Sequence, residues 1–340
     1  VDALVLAGAG PEQVFRLAGR PVPKPFVELG GEPLVRRAVR AALEARGVGR
    51  VFVLGELARL EVALRPWPEE QAGRLRLVPQ AGDLLASCRR VFFERLLPEL
   101  GLDEGSARRA TEPAARRTAL LVLASDLPFV AARDVEAFLA AAPDDGGVVV
   151  GLCDHAALED LRELLAPEAA LDRWKLGGIP LWPWSVRLSN LWLVRPLMFD
   201  PTLYALVEQV YTHRWLLARD GRILWRNWWA IVRAFWRQGW RAPGRGRFLR
   251  GVVNFVPAVL AMAVARAVGR GPAWLARPFR RLLGQRDVEA IGTWLLGAPA
   301  RMVVTREPAP AVDLDVEEGF LRLQADGEAV YRRLAERLGR

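Results

Sequence analysis

The sequence predicts an α/β protein: three layers, α/β/α, around a mostly parallel central sheet, with a helical insert toward its C-terminal side. Two observations predict it. Short apolar runs alternate with helical patterns at intervals of 20–40 residues. Those runs are apolar along their whole length, not at every second residue, as in strands covered on both faces. A composition of 52% hydrophobic and 26% charged residues can supply the core such a fold needs and is not that of a disordered chain.

The elements follow in order. Ala3–Ala7 reads as a buried first strand, and a loop follows to Pro25. Gly30 and Gly31 make a turn. Pro33–Arg46 is a helix, with Leu34, Ala38, Ala41, Ala42 and Ala45 on one face. Val51–Leu54 and Leu75–Val78 are buried strands, and Asp83–Leu97 has helical periodicity. The polar stretch Gly101–Arg117 is a surface loop. Ala119–Ala124 is the most hydrophobic strand and ends in Ser125-Asp126. Ala131–Ala142 is a helix, Gly147–Leu152 and Leu191–Val194 are strands, and Pro201–Val210 is a helix. Arg301–Thr305 is a last strand before a terminal helix over Val316–Leu338.

At 340 residues the chain makes one large domain or two ordinary ones. Two cysteines, Cys88 and Cys153, exclude a disulfide framework, and two distant histidines, His155 and His213, argue against a His-based metal site. Val1–Ala7 has no basic stretch before it and reads as a strand, not a targeting signal. No run reaches the ~18 apolar residues of a spanning helix. Cys153-Asp154-His155 lacks partners at metal spacing and reads as packing or surface.

The charge is uneven. The formal net charge is +9, and 46 of the 48 basic residues are arginine. The window 213–286 holds 16 arginines against the single acid Asp220, a charge of +15, which leaves −6 on the rest. It also holds seven of the 13 tryptophans. On a helical wheel Trp225, Trp228, Trp229, Trp236 and Trp240 form one stripe, and Arg226, Arg233, Arg237 and Arg241 adjoin it. Such a helix can pack its Trp face on the body or lie in an anionic membrane interface. Nucleic acid is the weakest fit, because few polar base-reading side chains accompany the arginines.

In parallel α/β sheets, ligands bind beyond the carboxyl ends of the strands. The loop after the first strand is glycine-bearing (Gly8-Ala9-Gly10) and carries Arg16, Arg20 and Lys24, which suits phosphate. It is neither a Walker A loop nor Gly-x-Gly-x-x-Gly. Asp126 follows a buried strand, where an ionised carboxylate needs a partner or a metal. It could equally cap the next helix. Asp313 and Asp315 precede a helix and could cap it, or supply a second carboxylate to a divalent ion.

These stretches carry a resemblance. Leu4–Leu34, with its Leu-Ala-Gly opening, Pro-Lys-Pro at 23–25 and Leu-Gly-Gly-Glu-Pro-Leu at 29–34, resembles the nucleotidyltransferases of the GT-A-like fold. These include sugar-1-phosphate nucleotidyltransferases and the molybdenum-cofactor guanylyltransferase group. Leu123-Ala-Ser-Asp-Leu-Pro128 resembles their metal-binding strand end, and Val312-Asp-Leu-Asp-Val-Glu-Glu318 their C-terminal acidic element. The sequence departs from the family at Ala9, where a second Gly is usual, and in a longer spacing to Arg16.

The resemblance implies a Mg²⁺-dependent enzyme that joins an NTP to a phosphorylated acceptor and releases pyrophosphate. It implies Asp126 and Asp315 as Mg²⁺ ligands, with Asp313 as a possible substitute for Asp315, and Lys24 with Arg16 or Arg20 on the phosphates. The backbone of Leu6, Ala7, Gly8, Ala9 and Gly10 would cradle the NTP, Gly82 and Asp83 would read its base and sugar, and Asn190 would meet the acceptor. Residues 1–212 and 287–340 would form the nucleotidyltransferase domain, interrupted by the insert 213–286. Two alternatives stay open: a GT-A glycosyltransferase using a nucleotide sugar, which does not call for Pro-Lys-Pro, and a non-catalytic membrane-peripheral binder on such a core. The expected location is cytoplasmic, peripheral at the inner face of the membrane.

Overall fold

The computed structural model describes residues 1–8, 14–17, 19–67, 73–80, 84–99, 101–105, 118–165, 179–181, 184–204, 207–208, 226–227, 229–230, 233, 284–314 and 320–321. Its elements begin with β1 (Asp2–Ala7), the hairpin β2 (Val14–Leu17) and β3 (Arg20–Pro23), and a 3₁₀ turn over Lys24–Phe26. The short pair β4 (Glu28–Leu29) and β5 (Glu32–Pro33) leads into α1 (Leu34–Glu44), then β6 (Val51–Gly55), α2 (Leu57–Leu64) and β7 (Leu75–Pro79). Helix α3 (Leu84–Val91) continues through a π turn at Phe92–Leu96. Next come β8 (Leu120–Ala124), α4 (Ala132–Ala141), β9 (Val148–Asp154), α5 (His155–Leu165), β10 (Ile179–Leu181) and β11 (Trp184–Val194). Helix α6 (Gln285–Leu296) and β12 (Ala300–Thr305) complete the described body.

Seven strands form the central sheet in the order β12-β9-β11-β8-β1-β6-β7, with β10 paired to the start of β11. The pairs β1/β6, β1/β8, β6/β7 and β9/β12 are parallel. Only β11 runs against its neighbours β8 and β9. The fold is therefore the expected α/β class with a mostly parallel mixed sheet.

Burial explains the layers. Ala3, Val5, Val51, Val53, Leu121, Leu123, Leu191 and Leu193 face one side, against α1 and α4. Leu4, Phe52, Leu54, Val78 and Leu120 face the other, against Val91, Phe92 and Leu96. Strands β1, β6 and β8 are thus covered on both faces, which is why their sequences are apolar without alternation. Helix α1 buries Leu34, Val35, Ala38, Val39, Ala41 and Ala42. Its chain turns out at Gly47, whose φ of 88° suits glycine.

The first expected loop differs: its middle is the β2–β3 hairpin. Phe15, Val27, Leu29 and Phe129 bury one apolar cluster with Ala309, Val312, Leu314 and Phe320, so the hairpin is held by residues some 300 positions away. No local pattern announces that contact. Helices α2, α5 and α6 and the first half of β11 are also additions. The expected helix Pro201–Val210 opens as a 3₁₀ turn over Pro201–Leu203. Of the expected terminal helix, Phe320 and Leu321 are helical and the remainder lies outside the described residues. Among the described residues no helix is long and apolar enough to cross a membrane.

Candidate active site at the carboxyl edge of the sheet

The register sets which residues meet at the carboxyl edge. Leu6 pairs Ala124, Ala7 pairs Gly55, Gly55 pairs Pro79 and Leu191 pairs Leu123. Gly8, Gln80 and Ser125-Asp126 therefore leave the sheet within about one residue of each other, and Asn190, inside β11, lies level with the end of β8. Ser125 is buried and donates its hydroxyl to the Leu6 carbonyl at 2.6 Å, tying the end of β8 to the end of β1. A Cβ on Gly8 would sit 2.5 Å from Gln80 Oε1, so the Gln80 side chain lies against the Gly8 backbone. Ala9 and Gly10, and Gly82 and Asp83, lie outside the described residues.

Lys24 is only 7% exposed and opens the 3₁₀ turn behind β3. Its Nζ lies 5.6 Å from the centre of the Phe15 ring, a cation–π contact that holds the side chain beside the hairpin. Arg16 and Arg20 are both exposed. Arg16 pairs Pro21, and Arg20 pairs Leu17. Since successive strand residues alternate faces, Arg16 and Arg20 lie on opposite faces of the hairpin.

Asp126 is half-buried, and Leu127, Pro128 and Phe129 behind it are buried. Leu314 donates its N–H to the Asp126 carbonyl at 3.2 Å. That bond brings the C-terminal acidic segment to the end of β8. Asp313 is half-buried, and its Oδ1 accepts from Arg187 Nη2 at 2.7 Å. Asp315 lies outside the described residues. Among the described residues no group of three or more His, Cys, Asp or Glu is arranged to hold a metal.

On the far side of β8, β11 is irregular. Its register against β9 shifts between Leu188 and Trp192, and Asn190 has a φ of 53°. Asparagine is one of the few residues that adopts this left-handed conformation readily. Asn190 Nδ2 reaches the Pro310 carbonyl at 3.5 Å. Burial pushes the Cys153 thiol up to about 12, with Asp154 and Glu307 adding to it. That thiol is not a nucleophile here.

Two residues at this edge are not evident from the sequence. Gln80 stands among ordinary loop residues, and nothing local singles it out. Arg187 lies in a stretch whose polar residues suggest a loop; the alternation of Val186 and Leu188 around it is the signal that marks a strand.

The chain is similar in fold to a hypothetical transferase from Thermus thermophilus: 22% identity, a TM-score of 0.57, 94% of this chain and 98% of that one covered. A 4-diphosphocytidyl-2C-methyl-D-erythritol synthase from Anaerococcus prevotii aligns at 9% identity and a TM-score of 0.42, over 96% of this chain and 97% of that one. A CMP:2-keto-3-deoxy-manno-octonic acid synthetase complexed with CTP aligns at 18% identity and 0.32, over 57% and 73%. No curated protein matches the chain. The family model of the MobA-like NTP transferase domain matches residues 3–214, from the first strand past the end of β11. The chain therefore belongs to the MobA-like NTP transferase family, a family of nucleotidyltransferase domains.

Proposed function

We propose that this chain couples an NTP to a phosphorylated small-molecule acceptor (a sugar, polyol or cofactor phosphate), releasing pyrophosphate, with Mg²⁺ as cofactor. The observation that carries the reading is the Leu314–Asp126 backbone bond, which joins two acidic stretches almost 190 residues apart at the ligand-binding edge. Residues 1–212 and 287–340 form the catalytic unit in this reading, and 213–286 is an insert.

The donor set suits a hard divalent ion. Asp126 sits half-buried at a strand end, and the acidic segment is bonded to that same residue. Two carboxylates completed by substrate phosphates are a common way to hold Mg²⁺. Asp126 and Asp315 would supply them, with Asp313 as the substitute. When bound, the ion neutralises phosphate charge and orients the triphosphate.

The chain's own groups do the rest. An oxygen of the acceptor phosphate attacks the α-phosphorus of the NTP; the bond to the β-phosphate oxygen breaks and pyrophosphate leaves. An acceptor phosphate is ionised near neutral pH, so no general base is required. Lys24, with either Arg16 or Arg20, neutralises the phosphates, and the backbone of Leu6 to Gly10 holds them in line. Gly82 and Asp83 read the base and sugar, and Asn190 orients the acceptor.

The test is Asp126→Ala. Pyrophosphate release from a panel of NTPs crossed with acceptor phosphates should fall by about 10²-fold or more. Retained turnover would refute the cation-binding role of Asp126.

A second proposal concerns location: the insert rests on an anionic membrane, at the inner face in a cytoplasmic setting. Trp229 is 63% exposed, and Arg226 and Arg233, on the same helical side, are exposed too.

A further inference from the structure

We infer that the bulge of β11 is a positioning element for the acceptor, and that Gly151 is the positioning residue that lets it form. The inference rests on the acceptor contact proposed above for Asn190. In the β9–β11 ladder Leu188 pairs Leu152 and Trp192 pairs Val150. Ser189, Asn190 and Leu191 therefore stand opposite Gly151 alone, three residues against one. A Cβ on Gly151 would collide with Ser189 Oγ, and would stand 2.9 Å from the Leu191 carbonyl oxygen and 3.1 Å from Phe138 Cε2. The extra chain is thus folded down onto a position that only glycine leaves open.

Stability does not account for this bulge. Ser189 is 2% exposed, and its Oγ has no hydrogen-bond partner among the described residues. Burying a hydroxyl in that way is destabilising. Asn190 is the one non-glycine residue with a positive φ among the described residues. The one side-chain hydrogen bond of the bulge there is Asn190 Nδ2 to the Pro310 carbonyl, at 3.5 Å, the limit of useful geometry. A regular strand would do better. Without Ser189 and Asn190, Leu191 alone would face Gly151 and keep its pairing with Leu123 of β8. Losing two residues preserves the alternation of faces, so Leu191 stays buried while Leu188 and Trp192, each 40% exposed, stay on the other face. Strained segments persist where function needs them, and bulges beside sites re-aim a side chain. The side chain re-aimed here is that of Asn190, level with the end of β8. The proposed phosphate-binding loop leaves β1, on the opposite side of β8 from β11. Asn190 thus serves a ligand across β8 from the triphosphate, which suits the acceptor.

The test measures pyrophosphate release from ATP, GTP, CTP and UTP, with glucose 1-phosphate, glycerol 3-phosphate or flavin mononucleotide as acceptor. Thermal melts with and without each NTP accompany it. Deleting Ser189 and Asn190 should give a protein that melts at or above wild type and keeps its NTP-induced shift, yet loses acceptor-dependent release. Gly151→Ala keeps Asn190 but displaces it. Its KM for the acceptor should rise about tenfold or more, while KM for the NTP stays within about twofold. Ser189→Ala removes the buried hydroxyl and should melt at or above wild type with an unchanged acceptor KM. Combining Gly151→Ala with Ser189→Gly removes the side chain that the new Cβ strikes. The pair should recover part of the loss, the Leu191 carbonyl still being in the way.

A deletion variant that melts well below wild type, or does not fold, would show that the bulge stabilises the sheet and overturn the inference. A folded Gly151→Ala with unchanged acceptor KM, or with acceptor and NTP KM raised alike, would overturn it too. If Gly151→Ala does not fold, the deletion variant and the double variant decide. A wild type that releases pyrophosphate with none of these pairs counts against the proposed function itself. The melts of the deletion variant and of Ser189→Ala then still decide whether the bulge is held against stability. A wild type that uses an acceptor which the deletion variant uses equally well refutes only the positioning role.

Discussion

Asn190 combines two duties that a substitution can separate. Its backbone sits at a φ of 53°, where a β-carbon costs roughly 1–2 kcal/mol unless a short polar side chain compensates. Its side chain reaches the Pro310 carbonyl and is the proposed acceptor contact. Asn190→Gly should therefore melt close to wild type yet raise KM for the acceptor phosphate. Asn190→Ala should do both, losing about 1 kcal/mol as well. Equal acceptor KM in all three would remove Asn190 from the acceptor site. Cys153 gives the opposite kind of prediction. The thiolate is the reactive form, and a pKa raised to about 12 keeps the thiol protonated far above neutrality. At pH 8 iodoacetamide should spare Cys153 in the native protein and modify half-buried Cys88 faster, as peptide mass mapping would show. In denaturant the two should react alike.

At the scale of elements, the close approach of strand ends is the constraint that the site depends on. A Cβ on Gly55 would stand 2.9 Å from the Ala7 carbonyl oxygen, which is backbone and cannot swing aside. Gly55→Ala should push β6 away from β1 and cost about 1–3 kcal/mol, seen as a lower denaturant midpoint with an unchanged slope. Because Ala7 leads into the proposed phosphate-binding loop, the same variant should raise KM for the NTP. The central strands of this edge, β1, β6 and β8, are legible in the sequence because each is covered on both faces and so continuously apolar. Helix α1 is legible from its spacing. The hairpin β2–β3 is not, because its stability comes from Phe15 packing on Phe320, 5.9 Å between ring centres, a contact outside any sequence window. The bulged start of β11 is hidden for a related reason. In Ser185-Val-Arg-Leu-Ser-Asn190 the one local sign of a strand is the alternation of Val186 and Leu188, too short to mark it without the pairing to β9 and β10. Residue type and order along the chain suffice to nominate Asp126, Asp313 and Asn190 for the carboxyl edge. They do not tell which of these side chains is already engaged. In the sequence Asp313 looks as available as Asp315; in the fold it is held by Arg187, which reaches it from the half of β11 that reads as loop.

For the whole molecule the charge divides the functions. The body carries −6 and the proposed chemistry rests on a handful of its own cations and acids; the window 213–286 carries +15 and contributes none of them. An arginine near an anionic membrane surface is worth about 1 kcal/mol, and tryptophan favours the headgroup zone. Arg226, Trp229 and Arg233 lie at i, i+3 and i+7, so one side of that helical stretch presents both residue types to the outside. The full chain should therefore float with vesicles of mixed phosphatidylserine and phosphatidylcholine, and not with phosphatidylcholine alone. Because the attraction is screened over about 10 Å at 0.1 M salt, raising the salt toward 1 M should release most of it. The triple variant Arg226→Glu, Trp229→Ala, Arg233→Glu should lower the floated fraction at every salt concentration. None of the three belongs to the proposed site, so its pyrophosphate release with a water-soluble acceptor should match wild type. Flotation that ignores lipid charge, salt and these substitutions alike would remove the membrane from the account and leave the +15 as a property of how the insert meets the −6 body.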